Sequence, residues 1–258
     1  MRSILKKYDG KDAESFQDIT STLQQRLDTF SDAEVIWHLR DNPLKLTPLD
    51  LEKGISIFVS IPEYLLEHYS VLIRMIVKMM LAAFVRRPEG SAPICMILDE
   101  FPRYGKLAGI ANGLATLRSR GVSIWLAIQD LSQLQTVYSE AEARTIVNLC
   151  SIKACMSTSD VETAKMFAQW TGEFMEQRKS YQRSSLTHMP ASNEQISREH
   201  RDVMTVVDAM SLRGKKEVIL YVEGRYLRFS AIRYYEDSKL NRRYEELMQM
   251  NQQLDDQV

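Results

Sequence analysis

From residue 55 onward the chain alternates short apolar runs with longer segments of helical spacing. Residues 55–61, 94–98, 122–128 and 151–156 are brief and β-rich and read as strands, and 94–98 is apolar at five consecutive positions, which suits a strand buried on both faces. Residues 62–86, 109–120, 139–148 and 159–172 lie between or after them and read as helices. Ser139 with Glu142, and Ser159 with Glu162, make capping boxes at two helix starts, and Gly172 stops the last helix. Strands alternating with helices predict right-handed βαβ units and a parallel sheet, hence an α/β fold. Residues 203–210 suit a short helix. Residues 217–222 and 226–232 flank Gly224 and predict a closing β-hairpin.

The flanks follow other patterns. Residues 1–30 are polar, with Phe16, Ile19, Leu23 and Leu27 at helical spacing, as in an amphipathic helix whose partner lies elsewhere. Ser31 and Glu34 cap a short helix through Trp37, and Thr47-Pro48 starts another turn. The longest apolar tract, 71–85, is interrupted by Arg74 and Lys78. It is too short and too charged to span a bilayer comfortably, and predicts a helix almost surrounded by protein. Residues 173–202 are rich in Ser, Arg, Gln and Glu without periodicity, which predicts a long mobile loop or a surface that orders on a partner. From about Ser238 a polar helix without a core-forming stripe runs to the end.

Composition narrows the classes little. Hydrophobic residues are 45% and charged residues 26%, ordinary for a globular protein, and 33 Lys plus Arg nearly balance 34 Asp plus Glu. Net charge therefore gives no sign of a nucleic-acid partner. Cys95, Cys150 and Cys155 lie in or beside apolar runs and read as reduced, buried small residues. Four histidines, none at ligand spacing with a Cys or another His, argue against a zinc site. The N-terminus is polar from its first residues and has no secretory-signal pattern.

The candidate chemistry sits at strand ends. The run Ile94 to Leu98 stops abruptly at Asp99 and Glu100, at the carboxyl end of a strand, where open α/β sheets bind ligands. An apolar strand followed by Asp-Glu is the Walker B arrangement of NTP hydrolases. The Asp helps hold hydrated magnesium and the Glu can polarise the attacking water. Two adjacent carboxylates are costly to desolvate, so a cation partner is expected. The plain alternative is a strand that ends in solvated acids.

Gln129, followed by Asp130, ends the next strand. A polar residue there can sense a γ-phosphate or hold the lytic water, or is simply a surface residue. Ser157 and Thr158 end the fourth strand. Arg118 and Arg120 close the helix between the second and third strands. They either complement its dipole or reach as an arginine finger into a neighbouring subunit's site. No Gly-x-x-x-x-Gly-Lys-Ser/Thr run is present, and neither Gly105-Lys106 nor Gly214-Lys215-Lys216 supplies one. These residues hold half of an ATP site. Arg178, Lys179, Arg183, Arg198, Arg201, Arg213, Lys215 and Lys216, with Tyr181 interleaved, could contact strand phosphates. Glu173, Glu176, Glu194 and Glu199 are mixed among them, which favours a solvated loop.

Together these motifs carry a resemblance. Leu98 to Pro102, Gly105-Lys106-Leu107, Leu114 to Gly121 ending Arg-Ser-Arg-Gly, and Ile128 to Leu134 resemble the type IV secretion coupling proteins of the TraG/TraD kind. Ser159 to Lys165 and Arg233 to Asp237 are similar to the same family in the same order, as is the stretch from Phe30 to Gly54. The resemblance implies a RecA-like P-loop NTPase core, a mostly parallel sheet with flanking helices, incomplete at its N-terminal side and closed by the C-terminal hairpin. It implies remnants of an all-helical domain and linker over 1–50, the C-terminal part of the nucleotide-binding domain over 51–237, and a helical tail over 238–258. ATP and Mg²⁺ are the implied cofactors. Asp99 and Glu100 match the Walker B acids and Gln129 the polar residue of the following strand. Arg118 matches the arginine finger, with Arg120 the competing assignment.

The implied assembly is a hexamer around a pore at the cytoplasmic face of a bacterial inner membrane. It would pass conjugative DNA with its relaxase, or effector proteins, to a secretion channel. The implied partners are relaxase or relaxosome, single-stranded DNA, channel ATPases and inner-membrane components. The family's transmembrane helices, Walker A strand and most of its helical domain precede the matching region, so a truncated gene or split polypeptide is implied. A sheet lacking that first strand should have an exposed edge. Two other readings stand beside this one. One is a non-enzymatic recruitment module acting through 173–202 and the tail; the other is an unrelated Mg²⁺-dependent hydrolase built on Asp99, Glu100 and Asp130.

Overall fold

The computed structural model describes residues 27–41, 47–182 and 193–255, with isolated positions between 17 and 24. Phe16, Ile19 and Leu23 of the expected N-terminal helix lie outside the described residues, as do the side chains of Glu34, Arg178, Lys179, Tyr181, Arg183 and Arg198. The chain divides into two compact units, residues 1–128 with 133–149, and 129–132 with 150–258.

The first unit is built on a parallel pair, β1 (Ile94–Leu98) and β2 (Val122–Leu126), in the register Ile94 to Val122 through Leu98 to Leu126. Helix α1 (Ala33–Ile36) lies upstream, and Pro48–Lys53 forms a 3₁₀ turn. That turn is closed by the Thr47–Asp50 capping box with Pro48 at its start. The long helix α2 (Leu66–Val85) turns Ile73, Val77, Leu81 and Phe84 inward at helical spacing. They pack with Ile94, Met96, Leu98, Phe101, Ile110 and Leu117. Helix α3 (Ile110–Thr116) and the 3₁₀ turn Arg118–Arg120 connect the strands. Helices α4 (Leu131–Val137) and α5 (Glu140–Leu149) follow β2, and Leu134, Tyr138, Ala143 and Ile146 complete this core. The Ser139–Glu142 box caps α5 in both directions, at 3.1 and 3.3 Å.

Two expectations change here. Residues 55–61 form no regular element and join no ladder among the described residues, and Phe58 and Val59 are 90% and 56% exposed. Strand-forming composition needs a neighbour's backbone groups, and none of the described strands offers them. Helix α2 is not almost surrounded: Met75 and Met79 are exposed opposite its packed face, and Val85 is exposed at its end. Glu63–Val85 is long and apolar enough to cross a membrane by length and composition alone. One face, however, belongs to the core just described.

In the second unit, β3 (Ile152–Cys155) pairs antiparallel with β6 (Glu217–Val222), which pairs antiparallel with β7 (Arg225–Ser230). The expected fourth parallel strand is therefore the rim of an antiparallel sheet. Apolar content marked a strand, but of its residues only Cys155 is buried while Ile152 is exposed, and composition does not say which way a neighbour runs. The β6–β7 hairpin turns on Glu223 and Gly224, both at positive φ (48 and 82°), the conformation a tight two-residue hairpin loop demands. Helix α6 (Val161–Thr171) is capped by Asp160, not Ser159; the Asp160 carboxylate accepts from the Thr163 amide at 2.8 Å. Helix α7 (Val206–Lys215) carries the Thr205–Asp208 box, and α6 and α7 bury Ala164, Phe167, Ala209 and Leu212 with Cys155 and Ile219.

The expected loop at 173–202 is a two-stranded ribbon instead. β4 (Glu173–Gln182) pairs antiparallel with β5 (Asn193–Asp202) along 10 residues each. A ladder satisfies backbone groups without a buried face, so it leaves no apolar alternation to read. Helix α8 (Ser238–Asp255) closes the chain, with Leu240, Tyr244, Leu247 and Met248 exposed. The α/β class stands, with the parallel pairing confined to β1 and β2 among the described strands.

Candidate functional site

The site grows from the carboxyl end of β1. The ladder continues one step past the strand: the Ala127 amide donates to Leu98 O at 3.0 Å and the Phe101 amide to Ala127 O at 2.9 Å. Between those bonds the backbone turns through Asp99 and Glu100. Glu100 takes φ 46°, a left-handed conformation uncommon for a residue with a side chain. Asp99 Oδ1 accepts from the Glu100 amide at 3.1 Å, which steadies the turn. Asp99 faces solvent, and Glu100 is half-buried.

A cation sits against the second acid. Arg103 reaches Glu100 Oε2 with Nη1 at 2.7 Å and Glu63 Oε1 with Nη2 at 2.8 Å. Those two carboxylates, Glu63 first and then Glu100, raise the Arg103 guanidinium above its ordinary value. Tyr104 is held by Arg74, whose Nη1 donates to Tyr104 O at 2.8 Å. Burial, then the charges of Asp99 and Glu100, pushes the Tyr104 hydroxyl up. Sequence reasoning missed Arg103 and Glu63. The signal for Arg103 was its place one helical turn after the acids; nothing marked Glu63, 40 residues away.

Gln129 and Asp130 lie just beyond β2, in the second unit, with Gln129 exposed. No cluster of three or more metal-binding side chains occurs among the described residues. Magnesium suits the remaining arrangement, since it keeps several waters and takes one or two carboxylates plus substrate phosphates.

Arg118 and Arg120 part company. Arg120 donates to Arg87 O, and the fully buried Arg87 returns a bond to Arg120 O at 2.9 Å. Arg87 also binds Glu52 at 2.7 Å and Ala92 O. Arg118 is exposed beside an open depression lined by Glu89, Thr116 and Ser119, and its guanidinium makes no hydrogen bond or ion pair with another described residue. It precedes β2, whereas Asp99 follows β1. Because the strands are parallel and in register, Arg118 lies at the opposite end of the pair from the acids, beyond the ~13 Å that five residues span. It cannot serve the acids of its own chain.

Known proteins agree with these features. A family model described as "Type IV secretory system Conjugative DNA transfer" matches residues 2–257. The protein VirD4 of Rhizobium rhizogenes is 29% identical over 152 residues, covering 59% of this chain and 22% of VirD4. VirD4 of Rhizobium radiobacter is 26% identical over 202 residues, covering 76% of this chain and 29% of that protein. Among solved structures, the bacterial conjugative coupling protein TrwBdeltaN70 superposes with TM-score 0.63 at 18% identity, over 72% of this chain and 44% of its own. TrwB in complex with ADP and Mg²⁺ matches at TM-score 0.54 and 19% identity, over 66% of this chain and 38% of its own. The chain thus spans 22–29% of these VirD4 relatives, and its fold is that of TrwB. With the model spanning nearly every residue, the chain belongs to the type IV secretory system conjugative DNA transfer family.

Proposed function

We propose that this chain is the C-terminal part of an ATP-driven coupling protein that delivers conjugative DNA with its relaxase, or protein effectors, to a type IV secretion channel. The observation that carries the reading is the acid pair at the carboxyl tip of a parallel strand, with Asp99 open to solvent. Asp99 holds Mg²⁺, Glu100 polarises the attacking water and Gln129 attends the γ-phosphate. The metal would supply charge neutralisation at the phosphates. The phosphate grip comes from polypeptide outside these residues, and the exposed Ile97 and Trp125 on β1 and β2 give it an apolar face to cover.

Arg118 is the finger, acting on the next subunit of a ring. Its exposure, its freedom from described partners and its distance from its own acids support that role; Arg120 is spent on Arg87. The ring, six-membered in the family, sits at the cytoplasmic face of the inner membrane. Relaxosome or effector proteins, channel ATPases and inner-membrane components are its partners. The β4–β5 ribbon gives little support to DNA contact there, since Glu173, Glu176, Glu194, Glu199 and Asp202 outnumber Arg178, Lys179, Arg198 and Arg201. It suits protein recruitment better, with Phe174 and Met175 exposed.

The test is ATP hydrolysis by the chain alone and after addition of an N-terminal half bearing a P-loop. The pair should hydrolyse ATP, Glu100→Gln should abolish it, and Arg118→Ala should lower it by roughly 10³-fold or more. Robust hydrolysis by the chain alone would overturn the half-site reading. A pull-down of relaxosome proteins that depends on 173–202 and survives Glu100→Gln would show recruitment as a separate activity.

A further inference from the structure

The bridge Glu63–Arg103–Glu100 is not required by the fold. The three side chains are 77%, 43% and 40% exposed, so neither ion pair adds much to stability. The backbone around them is fixed independently. Glu100 is held in its left-handed turn by Asp99 Oδ1, and the amides of Phe101 and Arg103 are bonded to Ala127 O and Glu100 O at 2.9 and 2.8 Å. Only the side chains can exchange. One planar guanidinium serves two carboxylates, one nitrogen each.

Resting on the reading of Glu100 as the water-polarising base, we propose that Arg103 is its positioning residue. It parks the Glu100 carboxylate, and Glu63 competes for the same guanidinium and so sets how often that carboxylate is released. A base must offer an oxygen to the proton it receives. Oε2 of Glu100 is engaged by Arg103, and a carboxylate oxygen that accepts from a guanidinium is a weaker acceptor for the proton of water. Glu63 gives the cation somewhere to go, so release leaves the guanidinium paired. Glu63 also opens the 3₁₀ turn that leads into α2, one residue after the segment 55–61, which joins no described ladder. Movement of that segment would alter the competition, and the base would sense it.

The two partners of Arg103 predict opposite signs. In the chain completed by a P-loop-bearing half, Arg103→Met frees the base and raises kcat roughly 2- to 5-fold, the worth of one exposed ion pair. Glu63→Gln removes the competitor and lowers kcat by a similar factor. KM for ATP stays constant in both, because neither residue grips phosphate. Arg103→Lys, with a single compact head for two carboxylates, falls between wild type and Arg103→Met. A purely structural role would move both variants downward.

In the isolated chain, ¹⁵N NMR should find rotation of the Arg103 guanidinium hindered, and eased stepwise by Glu63→Gln and Glu100→Gln. Retention of hydrolysis in Glu100→Gln would sink the nucleotide reading itself. Loss of hydrolysis there, with Arg103→Met and Glu63→Gln shifting together or changing KM, would overturn this inference alone. So would a freely rotating guanidinium in the wild-type chain.

Discussion

Gly121 joins the Arg118–Arg120 turn to β2, and replacing it with alanine tests the packing of that junction. Its φ is +73°, and an added Cβ would stand 2.4 Å from Ser91 O and 3.1 Å from Ala92 O. The left-handed backbone alone costs an alanine about 1–2 kcal/mol. The contact is with main chain that has little room to yield. Gly121 O accepts from the Ile94 amide at 2.8 Å, and Ser119 O accepts from the Gly90 amide at 2.9 Å. Ala92 O accepts from the buried Arg87. Relieving an overpacked contact of this kind costs a further ~1–3 kcal/mol, so Gly121→Ala should lose about 2–5 kcal/mol. Gly90→Ala is the control: its φ is +74°, with nothing within 4 Å of the added carbon, so only the backbone cost of about 1–2 kcal/mol applies. Urea unfolding of both variants, compared at unchanged m, isolates the close approach. Losses agreeing within about 0.5 kcal/mol would show that residues 91–92 do not press on Gly121.

Other outcomes follow from buried and titrating groups. Arg87→Met strands Glu52 and the carbonyls of Ala92 and Arg120, and should cost about 3–5 kcal/mol in the same assay; a loss under ~1 kcal/mol would mean the cation is not buried as described. Burial pushes the Cys155 thiol up to about 11, whereas Cys95 is exposed. A disulfide reagent at pH 8 should therefore modify Cys95 rapidly and Cys155 only on unfolding, read by mass spectrometry. Covering of β1 by a P-loop-bearing half should slow the Cys95 reaction. The Asp208 carboxyl is held well below its ordinary value by Lys215 and Thr205. A lowered folded value means its contribution is complete above the unfolded value, about 4, and fades as pH falls through the folded one. Asp208→Asn should flatten that acid-side loss of stability, and an unchanged slope would refute the role.

Much of the candidate site was legible because its chemistry is local. Five apolar residues followed by two acids announce a strand tip in any α/β protein, and β1 ends at Leu98 as that pattern requires. Helices with their own caps, such as α5 behind Ser139 and Glu142, were likewise readable. The thiols were not. Cys95 sits mid-strand in an apolar run, yet alternation along β1 turns it outward, because only one face of the β1–β2 pair is covered. The choice between Arg118 and Arg120 was closed to pattern as well, since both occupy the same turn and differ only in what stands behind them.

The sequence by itself determined most of the helices, the strand that ends at the acid pair and the lack of a phosphate-loop run, because each depends on neighbours within a few positions. The tertiary structure alone decided that β3 runs against β6, that 173–202 forms a ribbon, that Arg87 captures Arg120, and that Arg103 joins Glu100 to Glu63. Those pairings bring together residues as far apart as 70 positions, Ile152 with Val222 for one. No local period encodes such a match. It is fixed only when buried groups must find partners for their hydrogen bonds and charges.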